Sequence, residues 1–163
     1  MSHEVRAMTP EDIPAACVLL NQIISLGGTT ALEQLFDEVG LEDYLLGPST
    51  ILCHVVLDGA GAVAGFQHLG RRDDLPEGWA DIASFTRRDD PLRGAGRALF
   101  AETLARAKEL GIVAINATIR ADNVPGLGFY RRMGFVQYDV SRGIPLSDGR
   151  PVDRLHHRID LTG

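Results

Sequence analysis

A chain of 163 residues with 45% apolar residues is long enough to bury a core of its own. No run is long and apolar enough to cross a membrane. A formal net charge of −6 argues against a general nucleic-acid binder, which carries a basic face. The start, Met1-Ser2-His3-Glu4, lacks the basic-then-apolar layout of a secretion signal, so the cytoplasm is the expected location. Cys17 and Cys53 lie in apolar runs and are expected as buried free thiols.

No repeat, low-complexity tract or linker interrupts the chain, so residues 1–163 are read as one domain. Glu4 to Met8 reads as a first strand. Thr9 as cap, Pro10 in the first turn and the acidic pair Glu11-Asp12 open a helix. Its apolar stripe is Ile13, Ala16, Cys17, Leu20, Ile23 and Ile24, and Leu26-Gly27-Gly28 ends it. Ala31 to Val39 and Leu41 to Leu46 read as a second helical region, with Gly40 as its point of interruption. Ile51 to Leu57 and Ala62 to Leu69 are strands about the hairpin turn Asp58-Gly59-Ala60-Gly61. Arg71 to Gly78 is a polar loop, and Trp79 to Thr86 is a strand.

Leu99, Thr103, Leu104, Ala107 and Leu110 form the stripe of a helix closed by Gly111. Ile112 to Ile119 is apolar on both faces, as in the interior of a covered sheet. Val124 to Met133 is a short helix. Phe135 to Val140 and Leu155 to Leu161 are the last strands, around a turn-rich loop from Gly143 to Pro151. The order β-α-α-β-β-β-α-β-α-β-β predicts an α/β (α+β) fold, a mixed sheet with helices on its faces.

The run Pro91-Leu92-Arg93-Gly94-Ala95-Gly96-Arg97-Ala98-Leu99-Phe100 carries the chemistry. A Gly-x-Gly turn that opens a helix presents free N–H groups at the positive end of the helix dipole, an anion site. Arg87, Arg88, Arg93 and Arg97 crowd it, which suits a small phosphate-bearing ligand better than a polymer. A phosphate loop of the nucleotide triphosphatases needs Gly-Lys-Ser/Thr, where this chain has Gly96-Arg97-Ala98. A dinucleotide fingerprint needs Gly or Ala at the sixth position, where this chain has Leu99, and a tighter turn from the preceding strand.

Thr86 to Leu99 resembles motif A of the GCN5-related N-acetyltransferases, Arg/Gln-x-x-Gly-x-Gly/Ala, with Pro91 at the first position of that pattern. Asn123 to Phe135 resembles the same family's motif B, Asn-x-x-Ala-x-x-x-Tyr-x-x-x-Gly-Phe, through Asn123, Tyr130, Gly134 and Phe135, with Gly126 for the Ala. Read without the family, Asn123 caps a helix with Pro125 in its first turn, and Tyr130 lies two turns on along the same face.

The resemblance implies an acyl-CoA N-acyltransferase fold, a largely antiparallel sheet with helices on both faces. It implies acetyl transfer from acetyl-CoA to a primary amine of a small molecule by direct attack in a ternary complex. Charge, hydropathy and the placement of the histidines give no metal, nucleic-acid or membrane partner as the expectation. The alternatives are a non-catalytic acetyl-CoA sensor and a protein N-acetyltransferase. Arg93, Gly94, Ala95, Gly96, Arg97 and Ala98 are implied at the pyrophosphate, with Asn123 and Tyr130 along the cofactor. Phe85 and Thr86 are implied along the pantetheine where two parallel strands splay, with Ser84 nearby.

Tyr130 is the implied acid for the leaving thiolate. Candidate bases are His54, His68, Asp81, Ser84 and Glu33, and the catalytic set expected is Tyr130, Ser84 and Glu33. The acidic residues Glu33, Asp37, Glu38, Glu42 and Asp43 are candidates to draw a cationic amine. Gly27-Gly28-Thr29-Thr30 loosely resembles members that act on amino-acid-like amines. His156 and His157 point to opposite faces of a strand and are read as structural. The resemblance makes Leu155 to Leu161 a candidate seam for a homodimer.

Overall fold

Local sequence pattern and observed element agree in type and order along the chain. In the computed structural model the strands are β1 (Glu4–Ala7), β2 (Thr50–Leu57), β3 (Val63–Gly70), β4 (Trp79–Thr86), β5 (Ala114–Arg120), β6 (Val136–Pro145) and β7 (Pro151–Asp160). The helices are α1 (Ile13–Leu26), α2 (Glu38–Leu46), α3 (Ala95–Glu109) and α4 (Val124–Arg132). The structure describes residues 3–162; residues 1, 2 and 163, which the expected domain and the N-terminal tetrapeptide include, lie outside the described residues.

The sheet order is β1-β2-β3-β4-β5-β7-β6. Each neighbouring pair is antiparallel except β4–β5, the two strands that α3 connects. α1 and α2 cover one face through Leu20, Leu41 and Leu45 against Val55, Phe66 and Phe85. α3 and α4 cover the other through Phe100, Ala107 and Leu127 against Ala80, Ile82 and Ile115. Central strands buried on both faces account for the uniformly apolar run read at β5. Both cysteines are free and buried.

Three local expectations are corrected. Ala31 to Val39 is not helical before Glu38. The Asn21 side chain accepts from the Phe36 N–H and donates to the Phe36 carbonyl, both at 2.9 Å, so that backbone is spent on α1. Asp37 then caps α2 by accepting from the N–H of Gly40, which lies inside the helix and does not break it. The last hairpin is longer than read, since strand pairing runs to Pro145 and resumes at Pro151. Leu155 to Leu161 lies inside the sheet, because β7 is hydrogen-bonded to β5 on one side and β6 on the other.

Thr9 is the N-cap of a 3-10 turn over Pro10–Asp12 that runs directly into α1. Asp12 Oδ2 accepts from the Thr9 N–H at 2.9 Å, while Arg6 grips both carboxylate oxygens at 2.7 and 2.9 Å. Asp12→Ala is expected to cost about 1–2 kcal/mol in urea unfolding at neutral pH. The Arg6 bond holds the Asp12 carboxyl below its ordinary 3.8. Its contribution is therefore complete above the unfolded-state value and fades as pH falls through the lower folded one. The variant should lack that part of the acid destabilisation.

Candidate active site

The site begins where the sheet opens. β4 and β5 pair at Trp79 with Ala114, Ala80 with Ile115, and Asp81 with Asn116, and there the ladder stops. β4 continues to Thr86 against β3, and β5 continues to Arg120 against β7. From Ile82 onward, the β4 edge toward β5 therefore has no strand partner, and its N–H and C=O groups are free to take an extended ligand as an added strand.

A cleft of 590 Å³ occupies this opening. Its walls are Ser84, Phe85 and Thr86 of β4, the glycine turn, and the α4 residues Gly126, Phe129 and Tyr130. Gly94 holds φ 81°, a left-handed conformation that a β-carbon would strain. It leads into α3, whose Ala95 N–H bonds the Leu92 carbonyl and whose Ala98 N–H bonds the Gly94 carbonyl. The N–H groups of Gly94, Gly96 and Arg97 remain at the positive helix end, with Arg88 and Arg132 on the same cleft. Arg87 is engaged by Asp58 at 2.9 Å.

Tyr130 crosses the cleft floor and donates its phenol hydrogen to Ser84 Oγ at 2.9 Å. Burial pushes that phenol well above its ordinary value, and the Ser84 bond opposes the shift. Asn123 caps α4 by accepting from the Gly126 N–H at 3.0 Å and donates to the Thr29 carbonyl at 3.0 Å. Arg120 donates to the Thr30 carbonyl, so two side chains tie the segment after α1 to the cleft.

A second cavity, of 510 Å³, opens on the α1–α2 face of β4. Phe36 stacks on Tyr44 at 5.7 Å, and the His68 ring lies 5.1 Å from Tyr44. Burial pushes His68 down to about 4, so the ring is neutral at neutral pH. Asp81 forms the end of this cavity toward the opening. Burial raises its carboxyl, while Asn116 at 2.7 Å and Arg72 at 3.2 Å pull it back. Arg72 is also paired with Asp74. Arg71 lines the cavity with no carboxylate in ion-pair range among the described residues.

Of the residues read from sequence, Ser84, Phe85, Thr86, Gly94, Gly96, Arg97, Asn123 and Tyr130 line one cleft. Arg93, Ala95 and Ala98 do not line it: the Arg93 carbonyl meets His3 Nε2 at 2.6 Å, and the two alanines pack inward with their N–H groups inside the turn. Glu33 is exposed and away from both cavities, where its carboxylate accepts from the Ser147 N–H at 3.0 Å and Oγ–H at 2.8 Å. Those bonds hold its carboxyl below the ordinary range. His54 faces α3, with Nε2 3.9 Å from Glu102, and reaches neither cavity. Of the acidic residues read as an amine lure, Asp43 lines the second cavity. His156 bridges Thr118 and Ser141, while His157 is buried on the other face of β7. The aromatic pair Phe36–Tyr44 and the cation Arg71 were missed, since only the fold brings their segments together.

An open sheet edge, a glycine turn at a helix N-terminus and a buried phenol line one cleft. Residues 22–135 match the model of the Acetyltransferase (GNAT) family. The L-methionine sulfoximine/L-methionine sulfone acetyltransferase of Pseudomonas aeruginosa is 27% identical over 99% of this chain and 96% of its own. The phosphinothricin acetyltransferase of Sinorhizobium meliloti, solved in complex with AcCoA, aligns with a TM-score of 0.86 at 19% identity, over 98% of this chain and 89% of its own. The ribosomal-protein-alanine N-acetyltransferase of Brucella melitensis aligns with a TM-score of 0.86 at 21% identity, over 96% and 99%. The chain belongs to the GNAT family and is an acetyl-CoA-dependent N-acetyltransferase.

A β-carbon on Gly96 would lie 2.8 Å from the Phe129 ring on the cleft wall. Gly96→Ala is expected to force about 1–3 kcal/mol of strain there. Calorimetric titration should read about tenfold weaker acetyl-CoA binding.

Proposed function

We propose that this protein acetylates the amine of a small, amino-acid-like molecule by direct attack in a ternary complex. The observation that supports the reading is that two cavities line β4, one along Ser84, Phe85 and Thr86 and the other along Asp81 and Ala83. The first is read as the carrier site and the second as the acceptor site. When bound, acetyl-CoA supplies an activated acyl group as a thioester. Gly94, Gly96 and Arg97 hold its pyrophosphate, and the main chain of Phe85 and Thr86 orients its arm.

Asp81 takes the proton of the acceptor ammonium. A carboxyl raised by burial is a stronger base than an exposed one, and Asn116 and Arg72 fix its orientation. Tyr130 holds its proton at neutral pH, because burial raises the phenol, and gives it to the leaving sulfur. Ser84 aims Tyr130 through the 2.9 Å bond. Glu33 serves as a brace between the acceptor loop and the β6–β7 turn. Arg71, free of partners among the described residues, binds a carboxylate on the acceptor, and Phe36 and Tyr44 flank the acceptor side chain. The amino-acid relationship of methionine sulfoximine, named for the relative at 27% identity, supports this class.

The same reading makes the protein cytoplasmic, without a metal, membrane or nucleic-acid partner. A homodimer is proposed through β6, which with β1 forms the two edges of the sheet. Sedimentation at micromolar concentration checks the dimer.

A thiol-release assay across amino acids and simple amines tests the activity. Tyr130→Phe should lower kcat by roughly 100-fold. Asp81→Asn should lower kcat/KM by a similar factor and remove the acid limb of the wild-type profile, in which activity falls as pH drops through a value above the ordinary 3.8. Arg71→Ala should raise KM about tenfold for acceptors with a carboxylate and leave amines without one unchanged. Retained acetyl-CoA binding with no turnover on any amine would favour a sensor module.

A further inference from the structure

Behind Tyr130, a polar side chain stands in an apolar layer. Gln67 lies on β3 directly opposite Ser84 of β4 and His54 of β2. It is 0% exposed. Its Nε2 donates to Ser84 Oγ at 2.8 Å, the same oxygen that accepts the Tyr130 hydrogen at 2.9 Å. Its Oε1 is buried and has no partner among the described residues. A buried amide with an unmatched oxygen destabilises a fold, and an apolar side chain of similar volume would avoid that cost. Among the described residues, the one side-chain hydrogen bond Gln67 makes is to the hydroxyl that holds the Tyr130 phenol.

A serine hydroxyl has one hydrogen and two lone pairs. Here Tyr130 and Gln67 fill both lone pairs of Ser84 Oγ, so the serine hydrogen points away from them. In the transfer reaction, the Tyr130 hydroxyl would rotate its one hydrogen off Ser84 toward the sulfur of coenzyme A; the O–H bond breaks and an S–H bond forms, which leaves a phenolate. The Ser84 hydrogen can then turn toward that phenolate. Gln67 has only N–H donors to offer from this side, so it cannot capture the serine hydrogen and keeps the oxygen in place while the hydrogen swings.

We propose that Gln67 is a positioning residue for acetyl transfer, holding Ser84 so that it accepts from the neutral Tyr130 and donates to the phenolate that Tyr130 becomes. This rests on the reading of Tyr130 as the proton donor. The test is a double-mutant cycle of Gln67→Met and Tyr130→Phe. Kinetics are read with the best acceptor, acetyl-CoA affinity by calorimetry and folding by thermal melting. Gln67→Met alone should lower kcat about tenfold, with both KM values and the acetyl-CoA dissociation constant within about twofold. In the Tyr130→Phe background, the same change should have no further effect on kcat. If Gln67→Met does not fold, Gln67→Asn retains a buried amide too short to reach Ser84 and should give the same pattern. Equal losses in both backgrounds, or no loss in the wild-type background, would overturn the role of Gln67. A Tyr130→Phe variant with undiminished kcat would instead overturn the proton-donor reading itself.

Discussion

The parting of β4 and β5 after three paired residues is the constraint on which the site depends. Each strand keeps its antiparallel partner to its end, so the sheet opens only at its parallel joint, where pairing is slightly weaker per residue. Backbone groups freed inside a domain must find partners. The unpaired edge of β4 is thus both a cost to the fold and a place for an extended ligand. α4 seals the gap from one side, with Tyr130 reaching across to Ser84. The second cavity approaches the same strand from the other face, through Asp81 and Ala83.

Burial then tunes the groups at this opening. It raises the carboxyl of Asp81 and the phenol of Tyr130, so the phenol stays protonated at neutral pH. It lowers His68, leaving a neutral aromatic wall rather than a second cation beside Arg71. The protein is acidic overall, yet Arg88, Arg97 and Arg132 gather on the carrier cleft. Local arrangement, not net charge, sets what the site attracts.

Pro91 breaks the family pattern at a position that lines the cleft, and its surroundings are unusual as well. Asp90, just before it, is the one non-glycine residue with positive φ among the described residues, at 52°. Asp tolerates the left-handed region better than most residues, and proline disfavours the right-handed helical region for the residue before it. Arg87 donates to the Asp90 carbonyl at 2.8 Å and fixes the turn. The approach to the glycine turn is therefore set by Arg87, Asp90 and Pro91 together.

Element types and order were legible because each rests on neighbours in the chain: a cap, a glycine stop, a stripe of period 3.6 or a run of strand residues. The glycine turn and Tyr130 were legible for the same reason, as local motifs. Local signals failed at Phe36, whose backbone is claimed by Asn21 from 15 residues away. No local pattern encodes the insertion of β7 between β5 and β6. Local signals left the base open, because Glu33 and Asp81 are both carboxylates in sequence and differ only in burial and partners. The chain by itself determined a GNAT-like sheet with an anion-binding turn and a tyrosine. Tertiary structure alone decided which carboxylate faces the opening and that Ser84 meets Tyr130 across 46 positions, because contact and desolvation exist only once distant segments share a face.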